Sequence, residues 1–192
     1  MSRLSALAAA CALFLAGVPG PASAADEAAL WDAVRRGDAF VTMRHALAPG
    51  TGDPPGYRIG NCASQRNLSE AGRAQARRIG ERFRSAGIAS ARVMTSQWCR
   101  CKETAELLGL GPPSELPALN SFFDDRRLGP AQTAQVQQWL AARSGPPEPI
   151  VLVTHQVNIT SLTGEVPRSG GMVIARRNGD GRIVTLGEID VP

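Results

Sequence analysis

Residues 150–155 read IVLVTH, an uncharged run of five residues followed by a histidine. Residues 40–45 read FVTMRH, a second short apolar run that also leads to a histidine. Short apolar runs rich in β-branched residues are typical of strands that are buried on both faces of a sheet. We therefore expect strands at Ala39–Met43 and Ile150–Thr154, each with a histidine just beyond its carboxyl end.

Helical segments alternate with these strands along the chain. Ser69 is a predicted N-cap, and the helix after it, which ends at Gly87, is predicted to turn Ala71, Ala74, Ile79 and Phe83 inward. Further helices are predicted at Asp26–Gly37, Trp98–Leu108 and Gly129–Arg143, a strand at Ala91–Ser96, and a hairpin of Gly171–Ala175 with Ile183–Ile189. This alternation predicts an α/β fold, a three-layer α/β/α sandwich with a central, mostly parallel sheet.

The first 24 residues differ from the rest of the chain. Arg3 precedes an apolar, alanine-rich run at residues 4–18, and Ala22-Ser23-Ala24 has the small-x-small pattern of a signal peptidase site. The run is too short for a stable membrane span. We expect a signal peptide at 1–24, one domain at 25–192, and a periplasmic or secreted protein.

A lipoprotein signal that ends at Cys11 is the weaker alternative for this segment. Ala8 stands where a leucine is expected, and cleavage there would cut the apolar run in half. The charge of the whole chain is unremarkable, with 21 Lys and Arg residues against 17 Asp and Glu residues. Since no basic arm concentrates this charge, the sequence does not indicate a nucleic-acid partner.

Three cysteines remain once Cys11 leaves with the signal peptide, so at most one internal disulfide can form. Export implies an oxidising compartment. We expect Cys62 to pair with Cys99 or Cys101, with Cys99 preferred. A zinc site is a poorer interpretation, because one residue rather than two separates Cys99 from Cys101.

The chain contains two histidines, His45 and His155, and both follow predicted strands. Ligands of α/β sheets bind beyond the carboxyl ends of the strands, so we expect the two imidazoles to meet there. A neutral imidazole is a nucleophile toward phosphorus, and a second one can bind phosphoryl oxygens. Arg44 and Arg100 also stand at strand ends, where guanidinium groups would stabilise a transferring phosphoryl group.

Four ordered blocks of the chain resemble the histidine phosphatase superfamily, the clan of phosphoglycerate mutases and acid phosphatases. They are RHA at 44–46, LSxxGxxQA at 68–76, SxxxRxxxTA at 96–105 and VTH at 153–155. The resemblance implies a phosphoglycerate mutase-like fold and a covalent phosphohistidine on His45. It also implies that Arg44 and Arg100 bind phosphate, that His155 completes the pocket, and that no metal or organic cofactor is needed.

The chain departs from this family where a general acid is expected. Branches of the family place it in a Leu-x-Glu segment or as Asp after the second histidine, whereas this chain has Leu119-Asn120 and Gln156. Asp124 and Asp125 are the nearest carboxylates that could donate a proton. Their alternative role is a solvated turn before Arg126.

A long loop, Leu47–Asn67, follows the first strand and is expected to rim the site. Arg66 and Asp53 in this loop, together with Ser96, are candidate substrate-binding residues. The cysteine and the QRNL run in this loop resemble exported bacterial members, including lipopolysaccharide-core phosphatases. The resemblance therefore implies a small phosphorylated substrate, with a cell-envelope sugar phosphate as one candidate.

These features predict a phosphatase that hydrolyses a phosphomonoester through His45. Two alternatives remain open at this point. One is a non-catalytic phosphate-binding module that has lost its acid, as Asn120 and Gln156 suggest. The other is a phosphoprotein phosphatase acting on phosphohistidine or phosphoserine, which needs an open pocket, whereas a small substrate favours a pocket closed by the long loop. The lack of the usual acid also argues against a mutase.

Overall fold

The computed structural model describes residues 24–191, so most of the predicted signal peptide lies outside the described residues. The strands are β1 (Phe40–Arg44), β2 (Arg92–Thr95), β3 (Ser114–Glu115), β4 (Ile150–Thr154), β5 (Met172–Arg177) and β6 (Ile183–Ile189). The helices are α1 (Ala24–Arg35), α2 (Glu70–Ser85), α3 (Cys99–Leu108), α4 (Gly129–Ala141) and α5 (Gln156–Thr163). Within this range, none of the helices combines the length and apolar character needed to cross a bilayer.

The strands form one six-stranded sheet in the order β3-β2-β4-β1-β5-β6. Strands β3, β2, β4 and β1 are parallel, β5 is antiparallel to β1, and β6 returns antiparallel to β5. The mostly parallel sheet and the terminal hairpin are therefore confirmed. β4 lies between β1 and β2 and is buried along its whole length, as its continuous apolar run predicts.

Helices cover both faces of the sheet and make the predicted α/β/α sandwich. One face packs against α1, α2 and α3, where Trp31, Phe83 and Leu108 belong to a single buried cluster. The opposite face packs against α4 through Val136 and Leu140, with Leu162 of α5 at the edge of that cluster. Because β1 and β4 are buried from both sides, their register is strongly specified.

Strand β3 and helix α5 were not predicted from the sequence. α5 has only eight residues, and its Asn, Ser and Thr side chains have weak helix propensity. Its position directly after β4, rather than an amphipathic pattern, determines where it begins. The ends of the predicted helices and strands differ from the observed ends by at most two residues, as is usual for fraying termini.

The predicted inward face of α2 is partly wrong. Ala71 is exposed and Ala74 is only half-buried, whereas Gly72 and Gly80 are buried with Ile79 and Phe83. The helix turns its glycines inward because neighbouring backbone lies directly against them. A β-carbon at Gly72 would lie 2.1 Å from the Leu47 carbonyl oxygen.

A methyl group at Gly80 is expected to destabilise the protein. Its β-carbon would lie 2.1 Å from the Leu108 carbonyl oxygen, so α2 and α3 would have to separate. Gly80→Ala should lower the free energy of unfolding by about 2 kcal/mol, measured by urea denaturation, because backbone cannot rearrange as a side chain does. At an unhindered helical position the same change stabilises by about 1 kcal/mol, and that outcome would contradict the close packing. Ala71→Gly, on the exposed face, is the matched control and should cost about 1 kcal/mol through propensity alone.

Candidate active site

The two histidines meet at the carboxyl edge of the sheet. Arg44 of β1 pairs in register with Thr154 of β4, and the His45 amide donates to the Thr154 carbonyl oxygen at 3.0 Å. The imidazole centroids of His45 and His155 lie 5.6 Å apart in an edge-to-face arrangement. Both residues are nearly completely buried, so the predicted convergence of the imidazoles is present in the structure.

A cavity of about 140 Å³ opens at this edge. Both histidines line it, and three arginines contribute to its wall, from β1, from the long loop and from α3. The complete lining consists of Arg44, His45, Gly50, Thr51, Gly52, Asp53, Arg66, Arg100, Ser121, Phe123, Asp124, His155, Gln156 and Val157. The lining is therefore strongly cationic and suits a small anion.

His45 is held in one tautomer by its own backbone neighbour. Its Nδ1 lies 2.8 Å from the Ala46 carbonyl oxygen, which can only accept, so Nδ1 carries the hydrogen and Nε2 keeps its lone pair. Burial, followed by the positive charge of Arg100, lowers the pKa of His45 from 6.5 to about 3. The imidazole is therefore neutral at neutral pH, the state in which it is nucleophilic.

His155 is also buried, and both of its ring nitrogens contact polar side chains. Ser96 Oγ lies 2.9 Å from Nε2, and Arg100 Nη2 lies 3.4 Å from Nδ1. Burial holds the pKa of His155 well below its usual value; repulsion from His45, when that ring is protonated, and from Arg100 lowers it further. Two neutral rings therefore share the cavity with the guanidinium groups.

Asp53 holds Arg100 in place. Its Oδ1 accepts a hydrogen bond from Arg100 Nη1 at 2.9 Å, and both side chains are almost fully buried. The second oxygen, Oδ2, accepts from Trp98 Nε1 at 3.0 Å. Burial alone would raise the pKa of Asp53, but the hydrogen bonds from Arg100 and the Arg66 amide outweigh it and lower the pKa. Asp53, which was expected to bind substrate, itself lines the cavity and also orients the Arg100 guanidinium group there.

Arg66 is fixed within its own loop. Its Nε donates to the Gly52 carbonyl oxygen at 2.7 Å and its Nη1 donates to the Ala48 carbonyl oxygen. Burial, then repulsion from Arg100, lowers the pKa of Arg66. The guanidinium group lines the cavity, which keeps Arg66 as a candidate substrate-binding residue.

Ser96 has a different position from the one expected. It is fully buried, and its hydroxyl contacts His155 and Asn120 rather than the cavity. The expected substrate contact is therefore corrected to a contact with a histidine. The SxxxR spacing indicated that Ser96 lies near the site, but only the tertiary structure shows which side of His155 it occupies.

The two candidate proton donors are separated by the structure. Asp124 is exposed at the cavity and accepts a hydrogen bond from Tyr57 Oη at 3.5 Å. Asp125 instead pairs with Arg127 at 2.8 Å and caps the short turn that follows it. Asp124 is therefore the candidate that remains, and Asp125 has the turn role that was its alternative. Ser121 and Phe123 also line the cavity and were not predicted from the sequence, although Phe123 directly precedes the candidate Asp124.

A disulfide ties the long loop to the start of α3. Cys62 and Cys99 are bonded, with Cα atoms 5.6 Å apart, which confirms the preferred pairing, and Cys101 is a free, buried thiol. Gln65 adds a second tie, since its Oε1 accepts from the Cys99 amide at 3.0 Å. The loop that forms one wall of the cavity is thereby anchored beside Arg100.

Comparison with known proteins places these features in a family. A model described as the histidine phosphatase superfamily (branch 1) matches residues 43–138. No curated protein sequence is significantly similar to the chain.

Solved structures share the fold at low identity. The protein histidine phosphatase SixA, complexed with tungstate, is 17% identical with a TM-score of 0.56, over 79% of this chain and 96% of that chain. Mycobacterial glucosyl-3-phosphoglycerate phosphatase Rv2419c is 15% identical with a TM-score of 0.55, over 77% and 96%. YhfR of Bacillus stearothermophilus is 19% identical with a TM-score of 0.55, over 80% and 98%. At these identities the likeness concerns the fold.

The buried neutral histidines should make stability depend on pH. Their pKa values are lowered in the folded protein and return to about 6.5 on unfolding, so the unfolded chain binds more protons below that pH. The free energy of unfolding should contain the full contribution of both histidines above about pH 6.5. It should fall as the pH drops toward 5, by up to about 1.4 kcal/mol per pH unit for each histidine. Urea denaturation over this range tests it. The double variant His45→Asn, His155→Asn should flatten the slope, and an unchanged slope would show that other groups cause it.

Proposed function

The chain belongs to the histidine phosphatase superfamily, branch 1, and we propose that it hydrolyses phosphomonoesters through a covalent phosphohistidine on His45. One observation carries this proposal. Two neutral imidazoles and the guanidinium groups of Arg44, Arg66 and Arg100 line a single cavity of about 140 Å³. Such a set offers a nucleophile together with fixed positive charge for phosphoryl oxygens.

The reaction proceeds in two displacements at phosphorus. In the first, the Nε2 lone pair of His45 forms a bond to phosphorus and the ester P–O bond breaks. The departing oxygen takes a proton from Asp124, the carboxyl group that remains at the cavity. In the second, water attacks phosphorus, gives a proton to the Asp124 carboxylate, and the P–N bond breaks. Inorganic phosphate leaves, and His45 is again neutral.

Positive charge in the cavity exceeds negative charge until an anion binds. Burial, then repulsion from Arg100, lowers the pKa of Arg44, which shows that the guanidinium groups oppose each other. The buried Nε groups of Arg44 and Arg100 also make no hydrogen bond within the described part of the chain. A phosphoryl dianion would relieve the repulsion and accept hydrogen bonds, and the charge spread in the transition state would be stabilised in the same way.

We propose a small phosphorylated compound as substrate. The residues from Gly50 to Asp53 form one wall of the cavity, and the disulfide and Arg100 anchor that wall. A fixed wall favours a compact leaving group over a folded protein surface. A cell-envelope sugar phosphate remains one candidate. We also propose a periplasmic or secreted location, which the Cys62–Cys99 disulfide supports because such bonds persist in oxidising compartments.

Turnover and a trapped intermediate test the assignment of His45. The pure protein should hydrolyse p-nitrophenyl phosphate, and radiolabelled phosphate should be retained on the protein in a form stable to base and labile to acid. His45→Ala should abolish both, because no other side chain of the cavity is a neutral imidazole with a free Nε2. If wild type shows no label, His155→Ala should accumulate it by slowing the second step. Absence of turnover and of label in both proteins would favour the non-catalytic phosphate-binding alternative.

Leaving-group dependence tests Asp124. An alkyl phosphate needs a proton at the departing oxygen, whereas p-nitrophenolate leaves without one. Asp124→Asn should therefore lower kcat/KM about 100-fold for an alkyl phosphate and less than about tenfold for p-nitrophenyl phosphate. Asp125→Asn is the matched control, because that carboxylate pairs with Arg127, and it should leave both rates near wild type. Equal losses on both substrates would exclude a proton-donor role.

A further inference from the structure

We propose that Ser96 and Asn120 are positioning residues that hold His155 in its Nε2–H tautomer, so that His155 takes up a proton when a tetrahedral dianion enters the cavity. This inference rests on the proposed function in one respect, namely that the cavity is the phosphate site. A histidine tautomer is set by the hydrogen bond that each ring nitrogen makes. At His155 the direction of both bonds is fixed by groups that cannot reverse.

The first fixed group is the backbone amide of Gln97. An N–H group can only donate, and this one donates to Asn120 Oδ1 at 2.9 Å. The nitrogen of the Asn120 side-chain amide is also paired, since Asn120 Nδ2 donates to Gln97 Oε1 at 2.8 Å. If the Asn120 side-chain amide were rotated by half a turn, Asn120 Nδ2 would face the Gln97 backbone N–H, and both groups are donors. Asn120 Oδ1 is therefore an acceptor.

Ser96 transmits this direction to the histidine. Its Oγ lies 3.3 Å from Asn120 Oδ1, which carries no hydrogen, so the serine hydroxyl must donate toward Asn120. The Trp98 amide donates to the same Oγ at 3.3 Å. Ser96 therefore offers His155 a lone pair, and the 2.9 Å contact requires a hydrogen on His155 Nε2.

The contact of His155 Nδ1 independently indicates the same Nε2–H tautomer. Arg100 Nη2 lies 3.4 Å from His155 Nδ1, and a guanidinium group can only donate. Nδ1 therefore carries a lone pair in the neutral ring. His45 has the opposite arrangement, with its hydrogen on Nδ1 toward the Ala46 carbonyl oxygen. The two histidines of the chain are thus neutral in opposite tautomers.

This tautomer has a consequence for anion binding. His155 lines the cavity and its Nδ1 lies beside Arg100, so this nitrogen, which carries no hydrogen, cannot donate to a phosphoryl oxygen. A dianion therefore binds well only if Nδ1 gains a proton from solvent, which forms one N–H bond and makes the ring an imidazolium.

The groups around the ring explain why the proton is absent beforehand. Burial and the neighbouring positive charges hold the pKa of His155 low in the free protein, and a bound dianion reverses the local charge. Burial raises the pKa of the Cys101 thiol to about 12, so that sulfur, 3.5 Å from Nε2, is uncharged at neutral pH. The titratable and charged groups that face His155, directly, through Arg100 or across the cavity, are His45, Arg44, Arg66, Arg100, Cys101, Asp53 and Asp124.

Nitrogen NMR of the imidazoles tests the tautomers without any reaction. The chain has two histidines, so a long-range proton–nitrogen spectrum contains two rings, and His45→Asn assigns them. We expect Nδ1–H for His45 and Nε2–H for His155. An Nδ1–H ring at His155 would overturn the proposal.

Variants of the chain test the positioning role. Ser96→Ala and Asn120→Ala should let the other tautomer of His155 appear, whereas Asn120→Asp keeps an acceptor for Ser96 and should restore Nε2–H. Thr95→Val is the matched control, because it removes a neighbouring buried hydroxyl that donates to the Ser96 carbonyl oxygen instead. If Ser96→Ala keeps a pure Nε2–H ring, Ser96 and Asn120 do not position His155.

Binding of tungstate, a tetrahedral dianion, tests the proton uptake. Calorimetry in buffers of different ionisation enthalpy should show about one proton taken up near pH 7.5, and affinity should fall about tenfold per pH unit above it. Asp124→Asn should keep this uptake and Ser96→Ala should reduce it. Binding without uptake would overturn this proposal alone, whereas no binding would count against the phosphate site itself. If the protein takes up about one proton on binding tungstate but hydrolyses no phosphomonoester, the proposed function is contradicted and this inference is supported.

Discussion

The parallel pairing of β1 with β4 is the constraint on which the rest of the site depends. The two strands run side by side in one direction, with Arg44 opposite Thr154, and the His45 amide extends the ladder by one further hydrogen bond. Two residues more than 100 positions apart therefore leave the sheet at the same edge. Since both strands are buried on both faces, packing fixes this register, and a slip of one residue would turn the histidines away from each other.

A cluster of cations at that edge requires partners that separate and orient it. Asp53 neutralises one guanidinium group, at 2.9 Å from Arg100, and carbonyl oxygens of the long loop hold Arg66. The loop is in turn tied to α3 by the Cys62–Cys99 disulfide. A loop of about twenty residues is uncommon in a compact domain unless it is functional, and this one carries two charged side chains of the site.

The segment that contains Asn120 and Asp124 contacts both the buried side of His155 and the cavity. The segment in which related proteins are expected to carry a general acid has Asn120 here, and its buried amide contacts Ser96 and the Gln97 backbone. The carboxyl group of Asp124, four residues later, lies at the cavity. In the proposed mechanism this short segment has two tasks: the Asn120 amide sets the tautomer of His155, and the Asp124 carboxyl group faces the leaving group.

The sequence alone determined the α/β architecture and the order of the main elements. It also identified four side chains that line the cavity, His45, His155, Arg44 and Arg100. These follow from local signals, since apolar runs mark buried strands and the residues at strand ends share one edge of a sheet. The family resemblance named the same residues from short motifs. Positions that depend on a single turn or strand are within reach of such local patterns.

Only the tertiary structure decided the roles of Asp53, Ser96, Asp124 and Asp125 and the inward face of α2. Each depends on a partner far away in sequence: Arg100 for Asp53, His155 for Ser96, and the Leu47 and Leu108 carbonyl groups for the glycines of α2. Asp124 and Asp125 are adjacent in sequence, yet one faces the cavity and the other caps a turn. Residue type and spacing do not encode which way a loop side chain points. That direction is set by long-range packing and by the ion pairs and hydrogen bonds available once the chain has folded.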